Sequence, residues 1–304
     1  MPRPPLARRA SSLLRRGAVR ALSAPLEGGE VELRLRAAMA LAGRQTTHPW
    51  RFALNELLLR HGVRSYVAKR TGRRIVLRHP MSDAWVVHEV LERGAYAPPP
   101  EVAAAVRGLG RPPRVLDLGA HVGTTTLLLL ETWPDASITA VEPNPHNARL
   151  LRRMIELNDL GDRVDLREVA VGVAPGEVRI AGFSILSHVE RDEFETTDLW
   201  PFLRRIHGEP QAADVPRIDA FDVLADADVV KLDIEGAEWE ILADPRLRDA
   251  APRAIVLEFH WQSCPGDDAA TEAARLLREA GFETGPPFDE HDGVGMLWAW
   301  RPAA

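Results

Sequence analysis

Two carboxylate-rich stretches carry the residues best suited to chemistry in this 304-residue chain, KLDIEGAE at 231–238 and VLEFH at 256–260. Each starts as an apolar run of strand type and ends in ionisable side chains. Successive side chains of a strand point to opposite faces, so Lys231, Asp233 and Glu235 share one face if the strand continues that far. Glu258 and His260 share a face in the same way at the end of their own strand. Buried charges are costly unless paired, so the row is either a structural Lys–carboxylate network or a working site. His260 could act as a general base because an ordinary imidazole titrates near neutrality, and it could equally do no more than position a substrate. Asp233, Glu235, Glu258 and His260 are therefore the candidate catalytic residues. Together they could hold a hard divalent cation, but carboxylates often gather at strand ends without one, and no metal is expected.

A second constellation lies in RVLDLGAHVGTTT, residues 114–126. Val115 and Leu116 read as a buried strand, Asp117 and Gly119 come at its end, and Gly123 and Thr124 open a helix. Glycines there let the backbone approach a ligand closely, and a helix N-terminus offers free N–H groups to a carboxylate. Glu142 follows 23 residues after Gly119, the separation expected of an acid that binds ribose hydroxyls. Asn144 can cap the next helix and Pro145 suits its first turn. The loop reads D-x-G-x-x-x-G, with His121 where a dinucleotide loop carries its middle glycine. A pyrophosphate needs that glycine. S-adenosylmethionine has no phosphate; it has an ammonium that Asp117 or Asp233 could oppose and a carboxylate for the backbone N–H groups. The loop therefore favours S-adenosylmethionine, with Asp117, Gly119, Ala120, His121, Gly123, Thr124, Glu142, Pro143, Asn144 and Asp233 as candidate cofactor residues.

These residues need elements to position them. From Pro113 onward short apolar strands alternate with helical stretches: strands at 114–118, 137–141, 164–169, 229–233, 254–259 and 295–300, with helices at 123–132, 145–158, from 236, and at 269–280. Such alternation predicts βαβ units and a doubly wound, mostly parallel seven-stranded sheet with helices on both faces. Ligands then bind at the C-terminal ends of the strands, where every motif above falls. Before Pro113 the pattern predicts two helices over 30–62, the second starting near Pro49, a short strand at 74–78, and helices near 82–94 and 98–110. The expected division is a basic, mostly helical extension over 1–73 and a catalytic domain over 74–304, with a lead-in at 74–113 and a core at 114–304.

The pattern resembles the FkbM family of methyltransferases. The resemblance covers residues 74–301 and rests on SDAWVVHEVLERGAY (82–96), DLGAHVG (117–123), VEPNP (141–145), EVAVG (168–172), RIDAF (217–221), KLDIEGAEWEIL (231–242) and VLEFH (256–260), of which KLDIEGAE is the most specific. It implies a class I methyltransferase fold and methyl transfer, usually to a hydroxyl oxygen of a sugar or secondary metabolite. It implies that Asp117, Gly119 and Gly123 border the methionine moiety, that Glu142 takes the ribose, and that Glu168, Val169 and Ala170 border the adenine. His121 departs from the asparagine common in the family, and the chain before residue 74 is not covered.

In-line transfer requires removal of the acceptor's proton, a task for His260 or a neighbouring carboxylate. The segment 183–216, with Phe183, Phe194, Trp200 and Phe202 among acids, is expected to form part of the acceptor pocket. A nicotinamide-dependent oxidoreductase is the rival disfavoured by the missing glycine. A non-catalytic S-adenosylmethionine-binding module that docks on a partner is the other rival.

Charge is divided unevenly. Residues 1–112 hold 20 Lys and Arg against 8 Asp and Glu, and residues 113–304 hold 18 against 36. The acidic catalytic part would repel phosphates, so the expected acceptor is a small molecule or glycan and not nucleic acid. Residues 1–26 contain six arginines and no acid, with Leu6, Ala10, Leu13, Leu14, Ala18 and Ala21 at helical spacing. They could contact a membrane surface or an acidic partner, or form a tail or transit peptide. One cysteine, Cys264, cannot form an internal disulfide, and no apolar run is long enough to span a bilayer, so a cytoplasmic location is expected.

Overall fold

The change of texture at Pro113 marks the start of a central sheet. In the computed structural model, residues 37, 39–80, 82–182, 188–189, 211–250, 252–291 and 293–302 are described. The expectations for residues 1–26 and for Phe183, Phe194, Trp200 and Phe202 fall outside them.

In chain order the elements are α1 (Pro49–Leu57), β1 (Gly62–Val67), β2 (Arg74–His79), α2 (Ser82–Val86, continued as a π-helical turn over Val87–Glu92) and α3 (Pro100–Arg107). There follow β3 (Arg114–Leu118), α4 (Thr124–Thr132), β4 (Ser137–Val141), α5 (Pro145–Leu157), β5 (Val164–Arg167), β6 (Ala170–Gly172), β7 (Gly176–Gly182), β8 (His188–Val189) and β9 (Gln211–Asp219). The chain continues through α6 (Ala220–Leu224), β10 (Val229–Leu232), α7 (Glu238–Ala243), α8 (Arg246–Asp249), β11 (Ala254–Phe259) and α9 (Ala269–Glu279). It closes with β12 (Glu283–Thr284), β13 (Phe288–His291) and β14 (Val294–Trp300).

Seven strands lie side by side in the order β12-β14-β11-β10-β3-β4-β5, with β13 attached to β14. Strands β11, β10, β3, β4 and β5 are parallel, and β14 runs antiparallel to β11. This is the doubly wound, mostly parallel architecture. Both faces are covered, so the strands read as continuous apolar runs. One face presents Val115, Ile138, Val229 and Val256 to α4, α5 and the N-terminal elements. The other presents Leu116, Val230, Ile255 and Leu297 to the side chains of α6, α7 and α9.

The first of these faces changes character toward the strands' C-terminal ends. Val115 is followed on its side by Asp117, Val229 by Lys231, and Val256 by Glu258. The sheet thus carries an apolar core under most of its length and ionisable groups only where the strands run out.

Two strand expectations need correction. The helix expected to end at Gly62 stops at Leu57, and Gly62 starts β1, which pairs with β2 as a hairpin with Val67 opposite Arg74. Met39, Phe52 and Tyr66 join the same core cluster as Val115 and Val229. The strand expected over 164–169 stops at Arg167, because β6 leaves the central sheet to pair with β9. Between β5 and α6, strands β6, β9, β7 and β8 form a second, four-stranded sheet, of which β8 and part of β9 fall within 183–216. Its inward side is Ala170, Ile180 and Val215.

Candidate active site

Strand register places Asp117 of β3 beside Lys231 of β10. Lys231 is almost fully buried, and its Nζ donates to the carbonyls of Leu118 (3.1 Å) and Gly119 (2.6 Å). The same ammonium lies 2.9 Å from Asp233 Oδ2 and 3.7 Å from Asp117 Oδ1. Burial works against its charge, but Asp233 and Asp117 outweigh that and hold its pKa above the ordinary lysine range. Burial likewise opposes ionisation of Asp233, but Lys231 and His260 hold its carboxyl below the usual value. Lys231 is therefore the fixed cation beneath a cluster of acids, and it ties the β3 loop to the end of β10.

The loop after β3 fits tightly against that cluster. Gly119 has φ +76°, and a Cβ there would sit 1.9 Å from the Asp233 carbonyl oxygen, so only glycine is accommodated. Gly119 and Ala120 both donate their N–H groups to the Val141 carbonyl at 3.0 Å, which fastens the loop to the end of β4. Glu142 follows directly. Its Oε1 accepts from the Asn144 N–H (2.9 Å) and the Asn147 side chain (3.1 Å), and its Oε2 accepts from the His121 N–H (2.8 Å). Each carboxylate oxygen can accept two hydrogen bonds, so Oε1 is filled and Oε2 keeps one place open. Burial raises the Glu142 pKa, with the three donors opposing it.

Asn147 also accepts from Arg78 Nη2 at 2.6 Å, and Arg78 donates to both oxygens of Asp83. This chain of contacts connects β2 and α2 to the ribose-type acid. Asp83 is buried, but Arg78 and His121 bring its pKa down to about 2. Burial lowers His121 to about 4, so its ring is neutral at physiological pH.

Beyond β10 and β11 the acids meet a histidine. Glu238 is fully buried; its Oε1 accepts from the His260 N–H (2.8 Å) and faces His260 Nδ1 (3.0 Å), and its Oε2 accepts from the Gly236 N–H (2.8 Å). Glu235 has φ +55°, which turns it back so that its Oε2 lies 3.5 Å from His260 Nε2. Burial acts against a charge on His260, but Glu238 and Glu235 prevail and raise its pKa well above the ordinary value. Burial raises Glu235 to about 7, with His260 opposing the shift. Glu258 is pushed well above the carboxylate range by burial and then by Asp233 and Glu89, and it accepts a hydrogen bond from the Tyr96 hydroxyl at 3.0 Å.

A cavity of about 320 Å³ joins these groups, within the size range of small-molecule sites. Among the expected site residues, Gly119, His121, Glu142, Pro143, Val169, Ala170, Asp233, Glu235, Glu258 and His260 line it. The others stand behind the wall. Asp117 is fully buried and accepts from the Thr126 hydroxyl at 2.7 Å, so it supports Lys231 and does not face a ligand. Ala120, Gly123 and Thr124 shape the turn, with Gly123 (φ +88°) packed so closely that a Cβ would meet Met154 and Leu151. Asn144 caps α5 by accepting from the His146 N–H at 2.9 Å. Glu168 turns away to pair with Arg152.

Several wall residues were not anticipated. Tyr96, Glu89 and Trp85 come from the lead-in, and Asn147 from the first turns of α5. From the second sheet, Ile180 reaches the cavity. The lead-in reads as helix in the sequence, and its spacing does not point to a site. Glu238 was visible in KLDIEGAE, but its distance from His260 along the chain concealed the pair.

Asp233, Glu235 and His260 each offer one ligand atom within 4.8 Å of the others, close enough to share a cation. Asp233 also faces Lys231, and His260 lies between Glu235 and Glu238.

A parallel sheet with a glycine turn after its first strand, an acid at the end of the second and a cavity across both defines a class I S-adenosylmethionine-dependent methyltransferase. Residues 117–284 match the methyltransferase FkbM domain, and the chain belongs to that family. No curated protein matches the chain. Among solved structures, it is similar to the magnesium protoporphyrin IX methyltransferase of Synechocystis with bound S-adenosylmethionine, at 15% identity over 73% of this chain and 86% of that one (TM-score 0.40). It is similar to the precorrin-6y C5,15-methyltransferase of Geobacter metallireducens, at 18% identity over 66% and 87% (TM-score 0.35). It is also similar to WbdD, at 18% identity over 66% of this chain and 38% of that one (TM-score 0.38).

Proposed function

We propose that this chain is a cytoplasmic O-methyltransferase that methylates a hydroxyl of a small-molecule or glycan acceptor. One observation carries the reading. The same cavity holds Glu142, with one acceptor position open, and the Glu235–His260 pair.

The residues suit the cofactor. The open position on Glu142 Oε2 fits a ribose hydroxyl, Val169 and Ala170 offer an apolar wall for adenine, and Asp233 can oppose an ammonium. When bound, S-adenosylmethionine supplies a methyl group already activated by its sulfonium, ready for in-line attack by an oxygen. The chain must then align the acceptor and remove its proton.

Glu235 is the better base of the pair. With a pKa raised to about 7, it is a stronger base than an ordinary carboxylate and still about half ionised near neutrality. His260, held protonated by Glu238, acts as a donor that keeps Glu235 in place. Of the two candidates for the base, His260 or a neighbouring carboxylate, this favours the carboxylate Glu235. Neutral Glu258 and the Tyr96 hydroxyl offer hydrogen bonds to an acceptor's other hydroxyls.

The test is transfer of labelled methyl from S-adenosylmethionine to a panel of polyhydroxy acceptors and their deoxy counterparts. Label should enter the hydroxylated compounds and be lost when the accepting hydroxyl is removed. Label entering only amine or carbon acceptors would overturn the O-methyl assignment.

A further inference from the structure

Helix α1 has a buried inner side and an apolar outer side. Phe52, Asn55 and Glu56 face inward and are buried. Phe52 packs 5.1 Å from the Tyr66 ring and 4.9 Å from the His79 ring, centroid to centroid. Asn55 donates to the Tyr66 hydroxyl at 2.9 Å, and Glu56 Oε1 meets His79 Nδ1 at 2.5 Å. The helix is therefore held by a packed and hydrogen-bonded inner face.

Its outer face repeats at helical spacing through Trp50, Leu54 and Leu57, continued by Leu58 just past the helix and by Val63 on β1. These five are 37–66% exposed. Among the described residues one other large apolar side chain is exposed, Trp261. Scattered single apolar residues on a surface need no explanation, but five on one corner do.

Charge identifies the occupant. Residues 39–80 contain nine Lys and Arg and a single acid, Glu56, which is buried under the helix. Arg44, Arg51, Arg60 and Arg64 are exposed around the apolar face. A symmetric contact with a second copy would bring this arginine rim against itself with no exposed acid among residues 39–80 to answer it. An anionic lipid surface satisfies both features. Tryptophan sits well at the headgroup level, leucines enter the acyl boundary, and arginines meet phosphates.

We infer that the outer face of α1, with Val63 and the surrounding arginines, docks the protein on anionic membrane surfaces. The residues of this surface lie outside the arginine-rich stretch 1–26 in sequence, and their docking role does not depend on what the cavity methylates.

The test is sedimentation of the full chain with vesicles of phosphatidylcholine alone or mixed with phosphatidylglycerol. Binding should require the anionic lipid and weaken with salt. Trp50→Ser with Leu58→Ser should lower the partition coefficient about tenfold or more, and Arg51→Ala with Arg60→Ala should lower it by a similar factor. S-adenosylmethionine binding should stay unchanged in both variants, which shows that they fold. Equal binding to both vesicle types, or to neither, would overturn the inference. So would undiminished binding of the Trp50/Leu58 variant, which would place the contact elsewhere. A wild-type dimer that dissociates in that variant would also overturn it, since the face would then belong to a second copy.

Discussion

Glu235 and His260 share a narrow space, and the pair's protonation sets the pH response. A base must be ionised to work, and burial raises Glu235 to about 7. Turnover should therefore fall as pH drops below about 7, as Glu235 gains its proton. In Glu235→Gln that acidic limb should disappear from the kcat/KM profile, with turnover reduced by about 10²–10⁴-fold. An unchanged limb would assign the proton to another group. At this scale the sequence was partly legible. Glu142, Asp233 and His260 could be read from their position at strand ends, because alternation fixes which side chains share a face. A Lys–carboxylate network at Lys231 was one of the two readings of that row, whereas the reach of Tyr96 could not be read. Tyr96 meets Glu258 from 162 residues away, and local spacing carries no record of such a contact.

At the level of elements, the turn between β3 and α4 is the most constrained piece of the site. Gly119 combines φ +76° with an Asp233 carbonyl where a Cβ would go, whereas a Cβ on Gly161 would meet nothing within 4 Å. Gly119→Ala should lower stability in denaturant unfolding by about 1–3 kcal/mol or more and remove S-adenosylmethionine binding. Gly161→Ala should leave both almost unchanged, and equal effects from the two variants would refute the close-approach argument. The parallel strands were legible because they are buried on both faces and bounded by turn residues. The second sheet was missed for a physical reason. Its strands are half-exposed, with Val178 and Ile180 alternating with Glu177 and Arg179, and β9 carries Pro216, which removes a ladder donor. Strand β1 was likewise hidden, since Gly62 looked like a helix end when it in fact starts the hairpin.

Across the whole molecule the charge asymmetry divides the labour. The basic first third supplies α1 and its arginines, and the acidic remainder supplies most of the cavity wall. Glu89, Asp233, Glu235 and Glu258 all face that cavity, which disfavours polyanionic acceptors. Lys231 and His260 already supply cations beside Asp233, Glu235 and Glu238. Treatment with EDTA should leave S-adenosylmethionine binding and methyl transfer unchanged; a loss restored by Mg²⁺ would show that the carboxylates serve a metal.

The central claim is a donor site built on Glu142 at the end of β4. Calorimetry of S-adenosylmethionine with the wild type and with Glu142→Gln tests it most directly. Glutamine preserves an oxygen for part of the loop's hydrogen bonding but removes the charge that a ribose hydroxyl would meet, a loss of about 1.5–3 kcal/mol. The predicted result is binding by the wild type, weakened about tenfold to a hundredfold in the variant, with the fold retained. Equal affinity in the two proteins would contradict the account.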